Sequence, residues 1–151
     1  MEYDVRPAEE DDAEGISAVI VSALRQTNAK DYSPEIIARV AAGFHPAAIR
    51  KLLAGRTVFV AATDGDIIGT ASLDGAMIRT VFVSPSAQGR GVGRRLMAEI
   101  ERIARAKGIS VLTVPSSVTA QAFYAALGFR PIRESYYGDE RTIIMERSLE
   151  A

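Results

Sequence analysis

Val81-Phe82-Val83-Ser84-Pro85-Ser86-Ala87-Gln88-Gly89-Arg90-Gly91-Val92-Gly93-Arg94 is the stretch on which the fold turns. It opens with apolar residues of strand type, passes a proline that ends the extended run, and enters a turn with three alternate glycines. From Val92 the apolar period becomes helical. Val92, Leu96, Ile100 and Ile103 form one stripe, with Arg95, Glu99, Arg102 and Arg105 off it. Glycine admits positive φ and removes the Cβ atoms that would block a bulky anion. The first turn of a helix leaves about four N–H groups without intrahelical partners. Those donors and the positive end of the helix dipole suit a pyrophosphate, with Arg90 and Arg94 adding charge at its rim.

Other phosphate motifs fit less well. A P-loop ends in Gly-Lys-Ser/Thr, whereas Arg94-Arg95 follows Gly93 here. A dinucleotide fingerprint needs a third glycine where Arg94 stands and an early place in a βαβ unit. A glycine-rich turn that merely starts a helix is the remaining alternative.

Before the turn, Tyr3-Val5 starts a short strand that Pro7 stops, and Asp11-Leu24 carries Ile16, Ile20 and Leu24 at helical spacing. Asp11 and Asp12 suit its positive end. Ser33-Pro34-Glu35 starts a second helix with a cap and a first-turn proline, and Pro46-Leu53 adds further helical turns. Thr57-Thr63, Ile67-Leu73 and Met77-Val83 then read as strands joined by turns at Asp64-Gly65-Asp66 and Asp74-Gly75. Such short spacing makes an antiparallel meander.

After the long helix, Lys107-Gly108 is a stop and Glu101 supports Arg105 one turn on. Val111-Val114 is a strand, and Ala120-Leu127 is a helix ended by Gly128. Arg130-Tyr136 and Thr142-Arg147 close the chain as a hairpin around Gly138-Asp139. The order describes an α/β (α+β) protein with a mixed, mainly antiparallel sheet, not a doubly wound fold.

At 151 residues the chain suits one domain, and no repeat or linker divides it. A net charge of -1 supplies no global field toward nucleic acid or an anionic membrane. With no cysteine there is no disulfide framework, thiolate nucleophile or sulfur-held metal. Met1-Glu2-Tyr3-Asp4 lacks the basic and apolar regions of a signal peptide, and no apolar run nears the roughly 20 residues that span a bilayer. A cytoplasmic protein is expected by elimination.

Two blocks resemble the GNAT superfamily of N-acetyltransferases. Gln88-x-x-Gly91-x-Gly93 is similar to its pyrophosphate signature, with Val81-x-Val83-x-Pro85 as the strand leading in. Ala120-x-x-Phe123-Tyr124-x-x-x-Gly128-Phe129 resembles its later helix and the strand after it, at the right distance. The resemblance implies one GNAT domain over residues 1–151, helices on both sheet faces, and a cleft for acetyl-CoA where two central strands splay. It implies that Phe82 and Val83 pair with the pantetheine arm through their backbones, and that an N–H near Val83 polarises the thioester carbonyl. Gln88, Gly89, Gly91, Gly93 and Arg94 would offer N–H groups to the pyrophosphate.

Tyr124 matches the tyrosine that serves as general acid toward the departing thiolate; a phenol, with a pKa of about 10, is protonated at neutral pH. Its alternative is plain core packing. Ser117 stands where the family often has an asparagine that touches the cofactor, and serine keeps a hydroxyl but loses the amide. No metal is implied, a homodimer follows family habit, and the acceptor is a primary amine of a small molecule. A protein or peptide acceptor and a non-catalytic acyl-CoA-binding module are the alternatives.

Many relatives place a glutamate on the strand before the phosphate turn, and Met77-Val83 has no carboxylate. A water chain, Asp74 or Glu134 is left to take the proton, although each carboxylate also suits a solvated loop. His45, the single histidine, reads as a loop or packing residue between Phe44 and Pro46. Tyr32 and Tyr136-Tyr137 are candidates for lining the acceptor site, and Arg79 for a structural ion pair.

Overall fold

The β-branched run beginning at Thr57 forms the middle of the molecule. Strands β1 (Asp4–Pro7), β2 (Thr57–Thr63), β3 (Asp66–Asp74) and β4 (Met77–Val83) pair antiparallel in that order. The computed structural model describes residues 2–149, so Met1 and the last two positions of the expected domain lie outside the described residues. Asp64 and Gly65 both take positive φ, at 50° and 85°, as a two-residue type I′ hairpin requires. Pro7 does not stop β1 early; it is the strand's last residue, opposite Phe59.

Alternation along β2 divides the core. Val58 and Val60 face a cluster with Ile16, Ile20, Ile37 and Ile49, contributed by α1 (Ala13–Gln26), α2 (Pro34–Ala42) and α3 (Pro46–Gly55). Phe59 and Ala61 point the other way, toward Leu96 and Ile100 of α4 (Val92–Ala106). The first helix starts two residues later than its acidic residues suggest. Glu10–Asp12 is a single 3-10 turn in which Asp12 accepts from the Glu9 N–H at 2.7 Å and pairs with Arg6. On α4, Met97 and Ala104 join the buried stripe and Ile103 is only half-buried. A Cβ on Gly69 would lie 3.0 Å from both Val92 and Leu96, so the start of α4 rests close on the sheet.

Beyond α4 come β5 (Val111–Ser117), α5 (Gln121–Ala126), β6 (Arg130–Tyr137) and β7 (Glu140–Ser148). They complete a seven-stranded sheet in the order β1-β2-β3-β4-β5-β7-β6. Its one parallel contact, β4 with β5, holds at Met77 opposite Thr113. Past that pair β4 bulges, for Thr80 and Val81 together face Ala71 between the pairs Arg79–Ser72 and Phe82–Thr70. Thr80 sits at φ 56°, an outlier for a β-branched residue. A bulge bends and twists its strand, which accounts for β4 leaving β5 here. β5 runs three residues past its expected end at Val114 and includes Pro115, tolerated because the strand is an edge toward β4 from there on.

Candidate active site

The parted strands open a cavity of about 830 Å³. Val81, Phe82 and Val83 form one wall and Val114 to Ser117 the other. The residues expected to hold the cofactor line it, Phe82, Val83, Gln88, Gly89, Gly91, Gly93, Arg94 and Ser117, as does Tyr124, whereas Arg90, expected at the rim of the phosphate site, does not.

At one end lies the glycine turn. Gly89 and Gly91 both have φ 78°, and a Cβ on either would meet nothing within 4 Å. Open space thus stands in front of the helix. Its first intrahelical bond runs from the Arg95 N–H to the Gly91 carbonyl at 3.1 Å. The N–H groups of Val92, Gly93 and Arg94 therefore have no acceptor inside the helix, and the N-cap Gly91 has no side chain to supply one. Such a cradle fits a diphosphate. Gly93 has a different reason to be glycine, since a Cβ there would lie 3.0 Å from the Phe123 ring. The Gln88 side chain donates to Thr27 Oγ1 at 3.1 Å and to the Val83 carbonyl at 3.3 Å, tying the turn to α1 and to the end of β4.

Tyr124 lines the same cavity, 4% exposed and packed edge-on against Phe123 and Phe129 at 5.1 and 5.6 Å. Its hydroxyl makes no hydrogen bond among the described residues. It is nevertheless not sealed away, because no fully buried side-chain N or O lacks a partner there. Burial pushes the phenol's pKa up, so it is protonated at neutral pH. Ser117 lines the opposite wall, and its Oγ accepts from the Ala120 N–H at 3.1 Å.

The acetyltransferase (GNAT) domain family model matches residues 28–145. A GCN5-related N-acetyltransferase structure from Rhodopseudomonas palustris superposes with a TM-score of 0.91 at 30% identity, covering 98% of this chain and 96% of that one. The N-acetyltransferase YafP of Escherichia coli (strain K12) is 28% identical over 130 residues, 86% of this chain and 83% of its own. The PaiA N-acetyltransferase of Thermoplasma acidophilum, solved with coenzyme A, has the same fold at TM-score 0.82 and 20% identity, covering 98% of this chain and 99% of that one. The chain belongs to the GNAT acetyltransferase family. It is an acetyl-CoA-dependent acyltransferase.

The far end of this GNAT cavity is apolar, with Leu24, Ile36, Ile37, Val40 and Phe44 in its wall. Tyr32 roofs it. Its hydroxyl donates to the Arg141 carbonyl at 2.9 Å and accepts from the Val118 N–H at 2.7 Å. Burial holds this phenol's pKa above its ordinary value. Nearby, Arg39 pairs with Glu140 at 2.7 Å, and Thr119 donates to Asp31 at 2.8 Å.

The expected proton acceptors lie elsewhere. Asp74 and Glu134 do not line this cavity. Asp74 faces Arg79 and Arg56, while Glu134 is exposed and held by Arg141 and Tyr136. The Arg141 hydrogen bond pulls the pKa of Glu134 down. His45 is the N-cap of α3, its Nδ1 accepting from the Ala48 N–H at 3.3 Å. Tyr136 and Tyr137 stand exposed on β6 and do not line the cavity, although the Tyr137 ring lies 4.8 Å from the Arg39 guanidinium that pairs with Glu140. Among the described residues Glu140 is the carboxylate that lines it, and sequence reasoning passed Glu140 over, along with Arg56 and Thr80. No sequence signal marks Glu140, which reaches the site only because β7 lies beside β5. Among the described residues no acidic, histidine or cysteine group suits a metal, and no helix is long and apolar enough to cross a membrane.

Proposed function

We propose that the protein transfers the acetyl group of acetyl-CoA directly to a primary amine of a small molecule. One observation carries this reading: the glycine turn with its unpaired N–H groups, Phe82 and Val83 of β4, Tyr124 and the apolar residues Leu24, Ile36, Ile37, Val40 and Phe44 all line one cavity. When bound, acetyl-CoA supplies a thioester whose carbon takes the amine nitrogen as the C–S bond breaks. The turn from Gln88 to Arg94 holds the diphosphate, and the backbone groups of Phe82 and Val83 line up the pantetheine arm. The N–H at Val83 polarises the carbonyl. Ser117, already used as an acceptor by Ala120, keeps its own proton free for the arm.

Tyr124 donates its proton to the departing sulfur. A phenol is ordinarily a weaker acid than a thiol, about 10 against about 8.5. The dry surroundings that raise Tyr124 also disfavour a thiolate, so both partners shift together and donation stays effective. The acceptor arrives as an ammonium and sheds two protons on the way to the amide: Glu140 receives the first, directly or through water, and the second, lost from nitrogen as the tetrahedral adduct collapses, replaces the proton Tyr124 gave to the sulfur. The bonds of Tyr32 to Arg141 and Val118 and the Arg39–Glu140 pair tie the residues around α2 to β7 and to the end of β5 beside the cavity, which supports a small acceptor over a peptide that would need an open groove. Thiol release from acetyl-CoA across a panel of small amines and peptides tests the reading. We expect release with small amines; tight CoA binding without release for any amine would make the protein a binding module instead. A homodimer and a cytoplasmic location complete the proposal. The outer edge of β6 exposes Ile132, Tyr136 and Tyr137. Sedimentation should show a dimer that Ile132→Lys dissociates, and a monomeric wild type would remove it.

A further inference from the structure

Two guanidinium groups stand in the cavity wall at its acceptor end, from different elements. Arg56 follows the last turn of α3, and Arg79 lies on β4 just before the bulge. Both face one carboxylate oxygen, Oδ2 of Asp74, through their Nε atoms at 3.9 and 3.5 Å. Those separations exceed hydrogen-bond length. The Arg56 guanidinium donates only to Thr80 Oγ1, at 3.2 Å, and the Arg79 guanidinium makes no hydrogen bond among the described residues. Asp74 itself does not line this cavity, and the carboxylate that does, Glu140, is engaged by Arg39. The acceptor end thus holds two largely unfilled guanidinium forks among apolar side chains, with one shared negative charge behind them. Lys51 adds another cation in the small neighbouring cavity that Arg56 and Asp74 also line. Burial, followed by the like charge of Arg79, holds Arg56 below its ordinary pKa, against the weaker pull of Asp74. The bond to Thr80 Oγ1 ties Arg56 to this bulge residue, which has φ 56°.

Resting on the acetyl-transfer reading above, we propose that the acceptor amine carries an anionic group, a carboxylate or a phosphate, received by Arg56 and Arg79. A planar fork matches either oxyanion bidentately. Arg79 precedes Phe82 by three residues, but across the bulge the two lie opposite Ser72 and Thr70 on β3, two strand steps or roughly 7 Å apart, so several bonds separate the anion from the reacting nitrogen. The apolar walls at Ile36, Ile37 and Val40 suit the methylenes between them.

The test compares matched pairs: ω-amino carboxylates of increasing length with their amides, and aminoalkyl phosphates with the parent aminoalcohols. We expect kcat/KM to favour one anionic series by about 10- to 100-fold, as charged hydrogen bonds would supply. Which series leads separates carboxylate from phosphate. Arg79→Gln should bring each pair toward parity, and Arg79→Lys should restore part of the preference. CoA affinity in both variants reports that the protein is folded. Equal use of charged and neutral partners, or a preference untouched by Arg79→Gln, overturns the inference. If CoA binds and no amine is acetylated, the acetyl-transfer reading fails by itself. Calorimetric titration of the CoA-loaded protein with the same acids then decides the anion site: saturable binding lost in Arg79→Gln supports it, and no binding overturns it.

Discussion

Tyr124 combines two conditions that seldom coincide in a buried phenol. Its ring is fixed by Phe123 and Phe129, yet its hydroxyl is left without a partner among the described residues. A buried hydroxyl normally finds one, because desolvation without a hydrogen bond costs about 1–3 kcal/mol. An idle donor beside the cavity is what a proton-delivering group requires. Tyr124→Phe keeps the ring and removes only the oxygen. Steady-state kinetics should show kcat lowered about 100-fold or more, with KM for acetyl-CoA little changed. Turnover equal to wild type would leave Tyr124 as packing alone. Because its pKa is raised, its proton is present throughout neutral pH, and the pH–rate profile should show no limb from Tyr124 there. The Phe123-Tyr124 pair was readable as a motif, whereas the free hydroxyl depends on atoms brought from other elements.

The start of α4 is one element whose three glycines have distinct tasks. Gly89 and Gly91 supply left-handed turns in front of open space, while Gly93 lets Phe123 approach. Gly91→Glu would place a carboxylate in the anion cradle and force a side chain into φ 78°, a strain of roughly 1–2 kcal/mol. We expect calorimetry to find CoA binding abolished while the far-UV spectrum and a cooperative melt persist. Unchanged CoA affinity would count against the cradle. Strand–turn–helix order and the alternate glycines made this element legible in the chain itself. The β4 bulge was not legible, since Met77-Val83 reads as an uninterrupted strand and Thr80 carries no mark of a positive φ.

Across the whole molecule, α4 and the terminal strand are clamped by charge. Glu101 accepts from Arg147 of β7 at 2.9 Å and from Arg105 at 3.0 Å, and Arg105 also bonds the Leu149 carbonyl. Burial alone would raise Glu101, but the hydrogen bonds from Arg105 and Arg147 outweigh it and hold its pKa down. Asp12 is held down by its hydrogen bond from Arg6. A folded pKa below the ordinary 4.5 or 3.8 means stability that is fully present above those values and lost as pH falls through the folded ones. Melting temperature should be level with respect to these groups from pH 7 to about 5 and fall below about 4. Arg147→Gln should lower it at pH 7 and shrink the acid-induced fall; an acid response unaltered by Arg147→Gln would remove Glu101 from this role. Local pattern determined the elements, the caps and the phosphate turn, because propensity, periodicity and glycine conformation act between residues close in the chain. The tertiary structure alone decided where β4 and β5 part, that Asp74 and Glu134 fall outside the cavity, and that Arg56, Arg79 and Glu140 stand within its wall. Those positions depend on a bulge and on strand order, which join residues far apart in the chain and leave no periodic trace in it.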